Sequence, residues 1–147
     1  PTIVDISSKK ITNRMAIAQG IVEFSKSTFK IIESLKTKKG EIKSVAIIAG
    51  ILGAKKTSDI IPLCHNIEIE NIDIDIETIK KTSSLKIISF VKTRGKTGVE
   101  MEALSAVSVA CLTIYDMCKN IDKNIIITNI CLISKKGGKS DFTNINK

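Results

Sequence analysis

Residues 67–77 read Ile-Glu-Ile-Glu-Asn-Ile-Asp-Ile-Asp-Ile-Glu. Alternation of apolar and acidic side chains sorts the two kinds onto opposite faces of an extended chain, which a helix cannot do. The stretch predicts a β-strand with one face on a core and the other toward water. The alternation changes phase at Glu70-Asn71. A bulge or twist is expected there, because a one-residue slip turns every side chain to the other face. Lys80 to Ser84 reads as a turn, and Leu85 to Thr93 as a returning strand whose lysines stand opposite the acids of the first. The pair predicts an antiparallel hairpin.

Other segments carry a different period. Ser25 suits the N-cap of a helix over Lys26 to Thr37, with Phe29, Ile32 and Leu35 at helical spacing, ended by Lys38-Lys39-Gly40. Glu41 opens a second helix reaching about Lys56, with Ile42, Val45, Ala46, Ala49 and Leu52 on one stripe. Gly50 and Gly53 lie inside it, each costing about 1 kcal/mol relative to Ala, and close helix packing would explain them. Pro62 blocks further helix. Val99 to Asn120 predicts a long helix with Val107, Cys111, Ile114 and Cys118 on its apolar stripe. Thr12 to Phe24 and Ile125 to Ile133 predict strands, the first interrupted at Gly20, a candidate bulge. Thr2 to Ser7 reads as a short strand or an ordered arm. With no linker and no repeat, residues 1–147 are expected to form one α+β domain, helices on one face of an antiparallel sheet.

Charge and cysteine content narrow the function. The net charge of +8 fits either a lysine-rich solvated surface or a basic site for a polyanion, nucleic acid or triphosphate. Cys64, Cys111, Cys118 and Cys131 do not make a dense disulfide framework, and buried free thiols are expected. No signal peptide and no apolar run long enough to cross a membrane is read, so a reduced cytoplasmic setting is expected.

Three segments hold more polar chemistry than a scaffold needs. Asp59-Ile60-Ile61-Pro62-Leu63-Cys64-His65 carries the single His of the chain. That His is either a structural group or a site residue; a zinc site is not expected, since no second His or Cys-x-x-Cys completes four ligands. In Arg94 to Glu102 a glycine-flanked turn leads into a helix start. Glu100 and Glu102 either favour that end of the helix dipole or bind a donor-rich ligand edge such as guanine. At the far end, Asp116 and Lys119 are three apart, forming a surface ion pair or an acid/base pair whose amine is tuned by burial and neighbouring cations. Glu102 and Asp116 are fourteen residues apart, roughly 21 Å along a helix axis. One small metabolite does not easily reach both in one subunit. Either one end alone is catalytic or a second subunit completes the site. Gly95-Lys96-Thr97 and Gly138-Lys139-Ser140 are not P-loops, because Phe90 and Ile133 occupy the place of the required earlier glycine. The Lys/Gly-rich tail still suits phosphate, or is simply solvated.

The segments 59–65, Gly-Lys-Thr-Gly-Val-Glu-Met-Glu-Ala-Leu (95–104), Leu-Thr-Ile-Tyr-Asp-Met-Cys-Lys (112–119) and Lys-x-Gly-Gly-Lys-Ser (135–140) resemble the cyclic pyranopterin monophosphate synthase family, MoaC. Val-Asp-Ile-Ser (4–7) and Thr-Asn-Arg-Met-Ala (12–16) fit as well, so the resemblance spans nearly the whole chain. It implies a ferredoxin-like α+β subunit. It also implies a hexamer, a trimer of dimers, with active sites at subunit interfaces. The implied reaction turns (8S)-3′,8-cyclo-7,8-dihydroguanosine 5′-triphosphate into cyclic pyranopterin monophosphate and pyrophosphate, with no metal or other cofactor. Nucleic acid and membrane partners are not implied.

The resemblance gives Asp116, Lys119 and Lys39 the catalytic positions. It gives Leu63, Cys64, His65, Met101 and Glu102 substrate-binding positions, with Arg14, Glu100, Lys135 and Lys139 as further site positions. Asn66 stands where the family usually has Pro, and the tail lacks a Gly before Asp141. A nucleic-acid module is the main alternative, but four Phe and one Tyr, scattered, make no stacking surface. A non-catalytic subunit keeping the fold is the other, and the retained Lys39, His65, Asp116 and Lys119 speak against it.

Overall fold

Two periods in one chain make two layers. The computed structural model describes residues 1–34 and 36–146. In chain order the elements are β1 (Thr12–Glu23), α1 (Lys26–Ile31), β2 (Lys36–Thr37), β3 (Gly40–Glu41), α2 (Ile42–Lys55), α3 (Thr57–Ile60), β4 (Asn71–Ile79), β5 (Ser84–Gly95), α4 (Glu100–Cys118), β6 (Ile126–Lys136) and β7 (Phe142–Thr143). The main sheet runs β4-β5-β1-β6-β7, every neighbour antiparallel. The path β1-α2-β4-β5-α4-β6 with that order is the ferredoxin-like split βαβ, as the resemblance implied.

The acidic strand sets the sheet's polarity. In β4, Ile74 and Ile76 are buried while Asp73, Asp75 and Glu77 face water. Glu77 stands opposite Lys86 of β5. The strand starts at Asn71, so the phase change marks its beginning and not an internal bulge. Residues 67–70 still run beside β5, tied by Glu70 N–H to the Lys92 carbonyl at 3.0 Å and the Thr93 hydroxyl to the Glu68 carbonyl at 2.5 Å.

The core lies between the sheet and the α2–α4 pair. Along α4, Ala103, Ala106, Val107, Ala110, Cys111, Ile114 and Cys118 are fully buried. Small residues let backbones approach. A Cβ on Gly50 would stand 2.9 Å from the Ala106 carbonyl, and one on Gly53 would stand 2.8 Å from Val109 Cβ. Close packing is therefore what the two helical glycines provide. It also rotates the buried stripe of α2 onto Ile42, Ala46, Gly50 and Gly53, leaving Leu52 56% exposed, contrary to the expected stripe. Gly20 sits at a register shift between β1 and β6, under Cys111. By length and composition α4 is apolar enough to cross a membrane, which corrects the sequence reading; in this fold it is a core helix, half-buried between α2 and the sheet.

The first helix is shorter than expected. Ser25 caps it, accepting from Thr28 N–H, but it stops at Ile31. Thr37 then takes the Lys39 N–H on its hydroxyl and bonds the Gly40 carbonyl. Such side-chain-to-backbone bonds compete with helix, and they close a β2–β3 hairpin with Lys38-Lys39 at its tip. Leu35, expected on the helix stripe, lies outside the described residues. The last strand is longer than expected, reaching Lys136, and the tail after it is ordered by β7. Residues 2–7 form no strand; they make an arm bonded by His65 at the Val4 carbonyl and by Lys96 at the Ser7 carbonyl.

Two outcomes test the packing. Gly50→Val should lose about 1–3 kcal/mol in a urea melt, the usual cost of overpacking; stability equal to the parent's contradicts the close contact. Burial pushes the Cys111 thiol up to about 12 and Cys118 up to about 11. All four thiols are free. A brief alkylation of folded protein should label half-exposed Cys64 and Cys131 and spare the other two, as read by peptide mass mapping.

Candidate active site

Helix α4 carries polar groups at both ends and apolar ones between. At its C-terminal turn the Asp116 carboxylate receives two amines. Lys119, three residues on, reaches Oδ1 at 2.8 Å, and Lys39 from the β2–β3 hairpin reaches Oδ2 at 2.6 Å. Lys39 Nζ also bonds the Asp116 carbonyl at 3.2 Å. Hydrogen bonds from Lys119 and then Lys39 hold Asp116 down to about 2. The same bond with Asp116 pushes Lys119 up. The sequence reading allowed a lysine lowered by burial; here the amine is half-exposed and paired, so it stays protonated.

At the N-terminal turn the neighbours are different. Glu100 Oε1 accepts from Lys135 Nζ of β6 at 2.8 Å. Burial pushes Glu100 up, but the hydrogen bond and charge of Lys135, with Arg14 nearby, outweigh it and hold the carboxyl low. Arg14 is buried and donates from Nε to the Gly95 carbonyl at 3.0 Å and from Nη2 to the Lys96 carbonyl at 3.2 Å. It thus pins the 95–98 turn to β1. Glu102 is 3% exposed, and its Oε2 has no hydrogen-bond partner among the described residues. Burial and then the Glu100 charge push it up.

Several clefts open at this end, and two of them are lined by most of the expected site residues. One, of about 430 Å³, is lined by Leu63, Cys64, His65, Glu100 and Met101 together with Val4, Ile6 and Lys9 of the arm. Burial, then the charges of Glu102 and Glu100, push the Cys64 thiol up. His65 Nε2 hydrogen-bonds the Val4 carbonyl at 2.8 Å and so ties the arm down. The second cleft, about 560 Å³, is walled by Lys9, Lys10, Arg14 and the Gly137-Gly138-Lys139 turn. That turn needs its glycine: Gly137 has φ +94°, and a Cβ there would collide with the Asn13 carbonyl. Thr12 donates to its carbonyl at 2.6 Å, and its N–H bonds Asp141.

The structure therefore divides the expected site residues. Lys39, Asp116 and Lys119 converge at one end of α4. Arg14, Leu63, Cys64, His65, Glu100, Met101, Glu102, Lys135 and Lys139 gather at the other. Sequence reasoning gave no site role to the cleft walls supplied by Val4, Ile6, Lys9 and Lys10, while Thr97 and Gly98 belong to the glycine-flanked turn it singled out. Only the Val-Asp-Ile-Ser match hinted that the arm has a place here. Among the described residues, no group of three or more His, Cys, Asp or Glu is set to hold a metal ion.

Comparison with known proteins agrees in extent. The MoaC family model matches residues 3–138. A cyclic pyranopterin monophosphate synthase of Campylobacter jejuni subsp. doylei is 53% identical over 95% of this chain and 89% of its own. One of Peptoclostridium acidaminophilum is 51% identical over 94% and 87%, and one of Helicobacter pylori strain Shi470 is 50% identical over 100% and 93%.

The paired lysines predict a titration. Asp116 has its pKa depressed from the model-peptide range of about 3.9 to about 2. Its contribution to stability is full above the higher value and is lost as pH falls through the lower one. Carboxyl NMR should place the Asp116 midpoint near the lower value, and Lys39→Met with Lys119→Met should return it toward the ordinary range. An ordinary midpoint in the parent protein contradicts the pairing.

Proposed function

The chain belongs to the MoaC family, and from that membership we propose that it is a cyclic pyranopterin monophosphate synthase of molybdenum cofactor biosynthesis. Its substrate is (8S)-3′,8-cyclo-7,8-dihydroguanosine 5′-triphosphate, its products cyclic pyranopterin monophosphate and pyrophosphate. The observation that carries the chemistry is the Lys39–Asp116–Lys119 cluster, where one carboxylate holds two amines within 2.8 Å.

Asp116 orients both amines and holds Lys119 as an ammonium; the ion pair makes that ammonium a weaker acid, so it gives up a proton to a ring or leaving atom only when bound substrate draws Asp116 away. Ring opening and pterin closure each need protons moved at defined atoms, and a positioned acid or base supplies about 10²–10⁴-fold per transfer. Arg14, Lys135 and Lys139 suit the triphosphate, because cationic donors stabilise charge on phosphate oxygens. Leu63, Cys64, His65 and Met101 wall a cleft suited to the ring system. Glu102, buried with its Oε2 lacking a partner among the described residues, offers an acceptor or a protonated carboxyl to a nitrogen-rich edge.

The two clusters lie roughly 21 Å apart along an unbroken helix, so one nucleotide does not touch both in one protomer. We place the complete site between protomers, the C-terminal end of one α4 facing the N-terminal end of another, in a hexamer built as a trimer of dimers. Ile48 and Leu52 on α2 and Leu112 on α4 are more than half exposed, which suits surface covered by a neighbouring copy. Residues 1–147 then act as one synthase domain in the cytoplasm.

A nucleic-acid role fits less well. Phe24 and Phe29 pack on each other with ring centroids 6.2 Å apart, and Tyr115 bonds the Lys123 carbonyl. Phe90 and Phe142 are left, too few for a stacking platform.

Incubation with the cyclised GTP derivative should yield the pyranopterin and pyrophosphate. Asp116→Asn and Lys119→Ala should fold and lose at least about 10² in turnover. Near-normal product formation by either purified variant contradicts the assigned roles.

A further inference from the structure

We propose that Gly98 is a positioning residue: its bare α-carbon is the seat on which the Glu100 carboxylate rests, and that seat keeps Glu100 and Lys135 together at the N-terminal end of α4. Its effect on turnover rests on the synthase reading above; the seat itself does not.

Two glycines flank the turn that leads into α4, and their surroundings differ. At Gly95 the place of a Cβ has nothing within 4 Å of it. At Gly98 the three nearest atoms all belong to one group, the Glu100 carboxyl: Cδ at 2.7 Å, Oε1 at 2.8 Å, and Oε2 in outright collision. Backbone conformation does not require this glycine. Among the glycines only Gly40 and Gly137 have positive φ. An L side chain is therefore allowed by the backbone at 98, and what stands in its way is a carboxylate.

That carboxylate bends back over the turn for physical reasons. Val99, at the cap position of α4, makes no side-chain cap hydrogen bond, which leaves N–H groups open at the helix start. Glu100, the first helical residue, turns its carboxylate onto its own N–H and takes Lys135 Nζ on Oε1 at 2.8 Å. The gap that Gly98 and Glu100 share with Arg14, Met15 and Lys136 is only about 20 Å³. It has room for little more than one water, so a displaced carboxyl has to leave it. A methyl on Gly98 thus drives Glu100 off its seat and away from Lys135. The group displaced is the end of a flexible side chain, and Gly→Ala narrows the unfolded ensemble. The fold should lose no stability.

The displacement matters to the neighbours. Burial, and then carboxylate charge that includes Glu100's, push the Glu102 carboxyl and the Cys64 thiol up. Moving Glu100 resets the charge that both groups feel, and it frees Lys135 from the one ion pair that orients it.

Carboxyl NMR of Gly98→Ala, without substrate, tests the seat. Burial pushes Glu100 up, but Lys135, its own N–H and the charge of Arg14 hold it low; in the variant its midpoint should move upward, as in Lys135→Met. A urea melt should show stability equal to the parent's or higher. Gly98→Ala should also cut kcat/KM by at least about tenfold, the scale of one charge-assisted hydrogen bond. The loss should fall on KM, with kcat within about threefold, because the proton-transferring groups stand at the other end of α4. In a Glu100→Ala background the same methyl should change kcat/KM by less than about twofold, since both changes act through one contact. A parent-like Glu100 midpoint in Gly98→Ala overturns the inference. So does a loss of stability, or an equal loss of kcat/KM in both backgrounds, which would make the methyl a direct obstacle to substrate. Failure of the synthase reading shows separately: the Glu100 midpoint moves, which supports the seat, in a protein whose parent forms no pyranopterin.

Discussion

Burial of α4 along its length is the constraint on which the rest of the molecule depends. Nineteen residues, Glu100 to Cys118, run without a break between α2 and the sheet. The contacts that hold this helix are backbone-close, with alanines and glycines facing each other, so it has no room to bend or slide. A rigid rod of this length fixes two polar groups at a set separation. Neither group can relax toward the other.

That separation also isolates them electrically. Roughly 21 Å of helix exceeds twice the screening length of about 8 Å at physiological salt. The Asp116 cluster and the Glu100 cluster share no ion pair among the described residues. They also have opposite characters. The first is a surface carboxylate saturated by amines, which keeps a lysine charged. The second contains a buried carboxylate, Glu102, whose Oε2 has no partner among the described residues, next to Glu100, which is paired with Lys135. On the proposed reading, the first end carries the acid/base groups and the second receives the nucleotide.

Much of this was legible from residues alone. The Ile/acid alternation placed β4 and its hairpin partner, and the 3.6-residue spacing of Val107, Cys111, Ile114 and Cys118 placed the core face of α4. The fourteen-residue gap between Glu102 and Asp116 already left two arrangements, one end alone catalytic or a site completed by a second subunit. What failed had local causes. Phe29, Ile32 and Leu35 share a helical spacing, yet Thr37 diverts the chain into a hairpin through bonds of its own hydroxyl. Leu52 fits the stripe of α2, but the glycines turn the helix so that Gly50 and Gly53 face inward. The arm has no period at all; its place comes from His65 and Lys96 reaching its carbonyls, contacts between residues some sixty to ninety positions apart. Lys9 and Lys10 therefore gave no sign of where they would lie.

The central claim is that each working site takes the Asp116 end from one protomer and the Lys135 end from another. Subunit mixing measures it. Asp116→Asn and Lys135→Ala, each nearly inactive alone, should regain product formation when co-expressed or refolded together, with about a quarter of sites intact under random mixing at shared interfaces. Activity no higher than that of the separate variants, in oligomers shown to contain both, would contradict the account.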